Sequence, residues 1–243
     1  MRQLWPTSQD SVDLLNAYVL PSNANPYLRI NMVSSLDGAI SIEGQSKGLS
    51  GPADRNAFHA MRSLADVILV GATTMRMEKY RPAKISQEDQ KRRHERGQIP
   101  VPPIAVVTRN AVFDYDTPFF CEAVSRPIIL TTHTGAITAQ DATDTADIIE
   151  CGNDNVDLTL AVKELLERGL TSILCEGGPT LNADLLSAGL VDELCLTIAP
   201  FITQGSGKKI FEGPELQTPE GFDVTHIFMD ERFLFLRLHR NEI

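Results

Sequence analysis

Residues 172–187 read SILCEGGPTLNADLLS, and this stretch decides the fold. Its first four residues form a short apolar run, which is typical of a strand covered on both faces. Two glycines and a proline follow, and Pro179 suits the first position of a helix because that position needs no N–H donor. The stretch therefore predicts a strand, a tight turn and a helix in succession, which is the repeating unit of an α/β sheet.

The same alternation of strand and helix extends over most of the chain. Short apolar runs predict further strands at residues 27–33, 67–70, 104–107, 127–131, 148–149 and 192–200. Helical spacing predicts helices over residues 53–65, from about residue 72, and up to residue 168 after an N-cap at Asn155 or Asp157. The pattern predicts a mostly parallel central sheet with helices on both faces.

The end of the chain follows a different pattern. Two consecutive strands are predicted near residues 222–229 and 232–240, and every second residue of 233–238 is leucine. This period of two indicates antiparallel pairing. Residues 1–25 are predicted to form a surface arm or a short helix. Because we find no repeat and no flexible linker, we expect residues 1–243 to form a single α/β domain with an antiparallel C-terminal edge.

Composition excludes several classes of protein. The 243 residues carry 22 basic and 32 acidic side chains, and the formal net charge of −10 argues against a general nucleic-acid binder. Hydrophobic residues make up 42 % of the chain, enough for a core, and no run of about 18 apolar residues predicts a membrane span. The N-terminal residues contain no apolar signal region, so we expect a cytoplasmic protein. The four cysteines form no C-x-x-C pair and lie at no metal spacing to a histidine, which favours reduced thiols and no metal site.

Residues 83–100 form a polar excursion that interrupts the sheet pattern. Its basic cluster, Lys91 to Arg93, is compatible with a site for a polyanion. A solvated helix face is the better interpretation, because acidic residues are interleaved with the basic ones.

Three polar or glycine-rich segments follow predicted strands, where the ligands of open α/β sheets bind. They are residues 34–38 with Asp37, residues 70–74 with Gly71, and residues 176–182 with Glu176. Each also has a plainer interpretation: an Asp-Gly turn, a helix N-cap, and a strand-to-helix turn that simply needs glycine. The third segment would bind an anion if the free N–H groups of its helix faced a ligand. Rossmann, P-loop and G-x-S-x-G motifs do not occur.

Taken together, residues 31–38, 70–74, 175–182, 189–193 and 198–200 resemble a known family in their order and spacing. They are similar to the C-terminal pyrimidine reductase domain of the bifunctional riboflavin-biosynthesis deaminase/reductase, which has the dihydrofolate reductase-like fold. The resemblance covers roughly residues 26–240. It implies an NADPH-dependent reduction of 5-amino-6-(5-phosphoribosylamino)uracil to the phosphoribitylamino compound, with hydride transfer to C1′ of the ribose.

The resemblance also implies which residues bind the cofactor. In this sequence the matching positions are Ser34, Leu49, Gly71, Thr74, Glu78, Arg109, Gly177, Gly178, Pro179, Thr180 and Leu181. The segment from Gly178 onward would cradle the phosphates of NADPH, in agreement with the anion-site interpretation. Arg109 would pair with the 2′-phosphate and favour NADPH over NADH.

For the substrate, the matching positions are Asn31, Lys47, Arg62 and Glu176, with Lys47 and Arg62 assigned to its phosphate. Asp37 is expected to face the same pocket. Opening of the sugar ring requires a proton, and we expect Asp37, Glu176 or a water that they hold to supply it if burial raises a carboxyl pKa.

The chain departs from the bifunctional family in one respect. It contains neither the H-x-E nor the P-C-x-x-C motif of the zinc deaminase domain, so a separate enzyme is expected to supply the substrate. Two rival functions remain open: a reductase of dihydrofolate or a related pterin, and a domain that binds NADPH without catalysis. The family resemblance and the alternating C-terminal strands both lead us to expect a homodimer.

Overall fold

The computed structural model describes residues 1–21 and 26–241. In these residues the chain forms a ten-stranded sheet. The strands are β1 (Arg2–Trp5), β2 (Tyr27–Ser34), β3 (Val67–Gly71), β4 (Ile104–Val107), β5 (Ile128–Thr131), β6 (Asp147–Glu150), β7 (Ser172–Cys175), β8 (Glu193–Ile198), β9 (Phe222–Asp230) and β10 (Phe233–Arg240). The α-helices are α1 (Leu14–Ala17), α2 (Pro52–Leu64), α3 (Ala72–Met77), α4 (Gln87–Glu95), α5 (Pro118–Cys121), α6 (His133–Thr138), α7 (Leu158–Glu167) and α8 (Pro179–Ser187). Short 3-10 turns occur at Ser46–Gly48 and Gln140–Ala142.

The strands follow the spatial order β1-β9-β10-β8-β2-β7-β3-β4-β5-β6. From β8 to β6 every neighbouring pair is parallel, whereas β10, β9 and β1 are added in antiparallel pairing. Parallel strands need helical crossovers, and these place helices on both faces. The predicted fold class is confirmed: a single α/β domain with a mostly parallel sheet and an antiparallel C-terminal edge.

Both faces of the sheet are packed with apolar side chains. On one face, α7 and α8 bury Leu165 and Leu185 against the parallel strands. On the other face, α2 packs Met61 against aromatic residues of β9 and β10. A third apolar cluster lies under α3 and α5. This burial fixes the starts of α2, α3 and α8 at the carboxyl edge of the strands.

The N-terminal residues differ from their prediction as a surface arm or short helix. Residues 2–5 are strand β1, in which Arg2 lies opposite Met229 of β9, and only the short α1 is helical. A strand of four residues contains too few positions for a period of two to appear in the sequence. Residues 22–25, within the predicted arm, lie outside the described part of the chain.

The polar excursion contains helix α4, which Ser86 caps by accepting the backbone N–H of Asp89. Arg93 is fully buried rather than solvated, and its guanidinium donates to the carbonyls of Ser63 and Ala65 at the end of α2. Arg92 pairs with Glu88 on the exposed side. The interpretation as a solvated face is therefore only partly right, and two of the three basic side chains already have partners within the chain.

Among the described residues, no helix combines the length and apolar character that crossing a bilayer requires. The same residues bring no group of three or more His, Cys, Asp or Glu side chains together in the manner of a metal site.

Candidate active site

A large cleft of about 1480 Å³ lies at the carboxyl edge of the parallel strands. The ends of β2, β3, β4 and β7 form its floor, and the first residues of α3 and α8 form part of its wall. This is the edge at which open α/β sheets bind ligands, because the strand-to-helix loops meet there.

The turn between β7 and α8 packs tightly against the end of β3. The N–H of Gly71 donates to the carbonyl of Gly177 at 2.8 Å, and Gly177 has a φ of +85°, which favours glycine. A Cβ on Gly178 would overlap Oγ1 of Thr74. Helix α8 then begins at Pro179, and Thr180 and Leu181 line the cleft. The first-turn N–H groups of α8 therefore lie beside the cleft and suit an anion.

The carboxylate of Glu176 is held by a dense set of donors at the centre of the cleft. Arg62 binds it with two parallel bonds, Nε to Oε1 and Nη2 to Oε2, each 2.7 Å long. The hydroxyl of Tyr80 donates to Oε2, also at 2.7 Å. The side chains of Arg62 and Glu176 are nearly inaccessible, so this is a buried and hydrogen-bonded ion pair.

The charges of this cluster determine its protonation. Burial is the largest single influence on Arg62 and would lower its pKa, but the charge and hydrogen bonds of Glu176, together with Tyr80, outweigh it and raise the pKa above its ordinary value. Burial, followed by the charge of Glu176, raises the pKa of Tyr80 well above its ordinary value. Tyr80 therefore keeps its proton and acts as a donor to the carboxylate.

The conformation at the end of α3 aims Tyr80 at Glu176. Lys79 adopts a φ of +51°, and the N–H of Tyr80 then donates back to the carbonyl of Met75 at 3.0 Å. This is the left-handed ending common at helix C-termini. It turns the chain back so that Tyr80 lines the cleft.

A second cavity of about 360 Å³ adjoins the cleft, and Ser46, Phe58, Glu78 and Tyr80 line both. Its wall is rich in basic side chains: His59, Arg62, Lys79, Arg81 and Lys84. Burial and the nearby charge of Arg62 lower the pKa of His59, so this imidazole stays neutral near neutral pH. Because Arg62 is neutralised by Glu176, the lysines and Arg81, whose exposed guanidinium lies 3.8 Å from Glu122, are the main positive charges that an anion would meet here.

The other end of the cleft is formed by the loop after β4. The carbonyl of Arg109 accepts the hydroxyl of Thr132 at 2.8 Å, which fixes the backbone of this loop. The guanidinium of Arg76 lies 5.0 Å from the ring of Phe113. Arg76 and Arg109 both line the cleft and leave it positively charged at this end.

Most of the residues singled out from the sequence meet at this cleft. Its lining includes Asn31, Lys47, Gly71, Thr74, Glu78, Arg109, Glu176, Gly178, Pro179, Thr180 and Leu181. They come from segments far apart in the chain, as expected from the convergence of strand ends.

Asp37 lies outside the cleft lining, contrary to the prediction that it faces the pocket. Its exposed carboxylate accepts the backbone N–H groups of Thr203 and Gln204. The hydroxyl of Ser35 and the N–H of Gln204 lower the pKa of Asp37 from 3.8 to about 2. A proton donor needs the opposite shift, so Asp37 pins a turn rather than supplying a proton.

Four further positions differ from their expected placement. Ser34 is buried in β2, with its carbonyl accepting the N–H of Ala199. Leu49 is fully buried in the apolar cluster beneath α2. Gly177 lies behind the cleft lining, against Met32. Arg62 borders the second cavity, but its guanidinium binds Glu176 instead of standing free for a phosphate.

The sequence patterns did not single out Asp54, Phe58 and Tyr80, all of which line the cleft. Asp54, Phe58 and Arg62 are spaced four residues apart within a predicted helix. This spacing could have been used to predict that the three side chains share one face of α2. Tyr80 follows the end of α3, where no periodic pattern indicates the direction of a side chain.

Comparison with known proteins agrees with this architecture. A family model described as "RibD C-terminal domain" matches residues 26–233. The 2,5-diamino-6-ribosylamino-4(3H)-pyrimidinone 5′-phosphate reductase of Methanothermobacter thermautotrophicus is 29 % identical over 185 residues, which cover 74 % of this chain and 80 % of that protein. The protein of the same name from Aquifex aeolicus is 28 % identical over 220 residues, or 86 % of this chain and 92 % of that protein.

A solved structure extends the likeness to the whole fold. The pyrimidine reductase-like protein from Corynebacterium diphtheriae superposes with a TM-score of 0.83 at 25 % identity, covering 96 % of this chain and all of that one. The family model spans most of the chain, and its residues include the β2, β3 and β7 strand ends that build the cleft. The chain therefore belongs to the RibD C-terminal domain family.

Proposed function

We propose that this oxidoreductase uses NADPH to reduce a phosphorylated ribosylaminopyrimidine in riboflavin biosynthesis. The substrate implied by the sequence is 5-amino-6-(5-phosphoribosylamino)uracil, and the product is its phosphoribitylamino counterpart. The observation that carries the proposal is one cleft that joins the glycine turn of α8, the Glu176 cluster and a basic side cavity. These parts suit a dinucleotide, a sugar and a phosphate respectively.

The residues of the cleft fit a nicotinamide dinucleotide. The close packing of Gly71, Gly178 and Thr74 leaves the start of α8 open toward the cleft, where its N–H groups would hold the phosphates of NADPH. Thr74, Glu78 and Arg109 would contact the rest of the cofactor. Bound NADPH supplies the hydride that reduces C1′ of the sugar.

We assign the substrate phosphate to the basic side cavity. Lys47 remains a candidate because it lines the cleft beside Ser46, which borders both cavities. We give Lys79, Arg81 and Lys84 part of the phosphate-binding role that the sequence assigned to Arg62, because the Nε–Nη2 edge of the Arg62 guanidinium binds Glu176 and its charge is paired there. Charge-assisted bonds from these side chains would anchor the sugar beside Glu176.

Glu176 acts on the substrate as a fixed acceptor. Its Oε2 already receives two donors and its Oε1 receives one, so Oε1 keeps an acceptor site for a hydroxyl of the sugar. We assign the proton required on opening the ring to a water that Glu176 orients, since Tyr80 keeps its own proton; the water gives a proton to the ring oxygen, and the hydroxide left behind takes up a proton from the solvent.

A second substrate is favoured by the names of two relatives. The relatives from M. thermautotrophicus and A. aeolicus are named for 2,5-diamino-6-ribosylamino-4(3H)-pyrimidinone 5′-phosphate, which carries an amino group where the uracil carries an oxygen. The same cleft would reduce this compound by the same chemistry.

The test is loss of NADPH absorbance by the purified protein with each candidate substrate. We expect oxidation with the uracil compound or with the diaminopyrimidinone, and none with dihydrofolate. Oxidation with dihydrofolate alone would show that the substrate is a pterin. NADPH binding without oxidation in any reaction would overturn the proposed catalysis.

A further inference from the structure

Helix α2 presents three chemically different side chains to the cleft region in one row. Asp54, Phe58 and Arg62 follow one another at intervals of one helical turn. The Cβ atoms of each neighbouring pair in the row are therefore about 5–6 Å apart. Asp54 and Phe58 line the main cleft, and Arg62 binds Glu176 beyond them. The row therefore runs from an acidic group, past an aromatic ring, to the ion pair beside which we place the sugar.

Asp54 is a buried carboxylate with an incomplete set of donors. It is 8 % exposed, and Oγ of Ser50 donates to its Oδ2 at 2.6 Å. Within residues 1–21 and 26–241 its Oδ1 accepts no hydrogen bond and Asp54 forms no ion pair; this oxygen is not among the fully buried atoms that lack a partner, so it is open to the cleft that Asp54 lines. An open carboxylate oxygen on the wall of a cleft is an acceptor for the N–H or O–H donors of a ligand.

Phe58 supplies a platform beside this carboxylate. The guanidinium of Arg62 lies over its ring at 4.2 Å, which fixes the orientation of the side chain. A flat heterocycle that packs against Phe58 would carry one edge toward Asp54, one turn earlier on the helix.

The two candidate pyrimidines differ at the edge that such a carboxylate would meet. A 2-amino-4(3H)-pyrimidinone presents two neighbouring donors, N3–H and the 2-amino group, which match the two oxygens of a carboxylate. Uracil presents N3–H beside a carbonyl oxygen at C2, and this oxygen would face a carboxylate oxygen with like partial charge. Discrimination at this edge therefore follows from the position of donors and acceptors.

We propose that Asp54 binds the N3–H and 2-amino edge of the substrate ring and thereby selects a 2-aminopyrimidinone over a uracil. The inference rests on the proposed function, because it assumes that a phosphoribosylaminopyrimidine occupies this half of the cleft. It assigns Asp54 to recognition of the ring, whereas Glu176 contacts the sugar.

The test compares kcat/KM for the diaminopyrimidinone and the uracil compound in the native protein and in Asp54→Asn. We expect the native protein to prefer the amino compound by about tenfold or more. The amide of the variant offers one donor and one acceptor, which match uracil, so the preference should fall by about tenfold or reverse. Asp141→Asn is the matched control, since it removes the same charge at an exposed position outside the cleft and should leave the ratio unchanged.

A binding measurement keeps the inference testable even if Asp54→Asn folds poorly. Calorimetric titration of the native protein saturated with NADP⁺, which cannot deliver a hydride, should give a Kd about tenfold lower for the amino compound than for the uracil compound. Equal affinities, or an equal loss of kcat/KM for both substrates in the variant, would overturn the role of Asp54. Failure of the native protein to reduce either compound, with a clear difference in Kd, would overturn the proposed catalysis while supporting ring recognition by Asp54.

Discussion

Tyr80 shows how a single hydroxyl organises the candidate site. Its donation to Oε2 of Glu176 at 2.7 Å leaves Oε1, which accepts only Nε of Arg62, as the oxygen with an acceptor site for the substrate. In Tyr80→Phe that donor is lost and Glu176 gains freedom to rotate about Arg62. We expect kcat/KM for the pyrimidine substrate to fall about tenfold, which corresponds to about 1.4 kcal/mol, while the Kd of NADPH stays unchanged.

Tyr115→Phe is the control for this prediction, because it also removes one tyrosine hydroxyl that donates a hydrogen bond. The acceptor of the Tyr115 hydroxyl is the backbone carbonyl of Ala111. Steady-state kinetics and a thermal melt of both variants provide the measurement. An unchanged kcat/KM in Tyr80→Phe, or an equal loss in the two variants, would contradict a positioning role for Tyr80.

Individual residues also mark the limit of prediction from local sequence. The Asp-Gly pair at residues 37–38 was equally compatible with a turn and with a ligand site, and the structure contains the turn. The deciding donors come from Thr203 and Gln204, which are remote in sequence. By contrast, the glycines at 177 and 178 were recognisable because close packing of strand and helix requires them at that point of the chain.

Three strands are held together by a buried charge cluster centred on Glu193. Its carboxylate in β8 binds Arg29 of β2 and Arg237 of β10, and both guanidinium groups also donate to carbonyls at the end of α1, on Tyr18 and Ala17. Burial would raise the pKa of Glu193, but the two arginines outweigh it and lower the pKa from 4.5 to about 2. The folded state therefore favours the ionised carboxylate more than the unfolded state does.

This cluster makes a prediction about acid stability. Because the folded pKa lies below the unfolded one, its contribution is complete above about pH 4.5 and is lost as the pH falls toward 2. Glu193→Gln leaves two guanidinium groups buried without their counter-charge, and we expect a loss of about 3–5 kcal/mol in the free energy of unfolding at pH 7.

Urea unfolding of both proteins at several pH values between 7 and 3 measures these effects. The native protein should lose stability more steeply than the variant in the acid range, because the variant has no carboxylate to protonate. Parallel pH profiles would show that Glu193 is not the group responsible.

At the level of elements, the strong signals were the apolar runs of the parallel strands and the period of two in β10. A strand buried on both faces requires a continuous apolar run, and a strand buried on one face requires an apolar residue at every second position. The weak signals were those that depend on partners. Strand β1 exists because β9 offers an open edge, and Arg93 is buried because the carbonyls at the end of α2 need donors. Neither partner is adjacent in sequence.

For the whole molecule, the antiparallel part of the sheet leaves an apolar strip exposed. Leu234 lies opposite Met229 in the β9–β10 ladder, and both are more than one third exposed, as is Leu4 of β1. Leu234 and Met229 lie on the face opposite Phe228 and Phe235, which pack against α1 and α2. An exposed apolar strip of this kind suits a second copy of the chain, in line with the expected homodimer.

Introducing a charge into this strip tests the expectation. We expect the native protein to have about twice the chain mass of 26.7 kDa in solution, and Leu234→Glu to have the mass of a single chain, because the dimer would bury an unpaired carboxylate at its centre. Val124→Glu is the matched control, since Val124 is 76 % exposed and lies far from these strands in the sheet order. Light scattering during size-exclusion chromatography gives the masses. A monomeric native protein would contradict the homodimer, and a dimer that persists in Leu234→Glu would place the contact on another face.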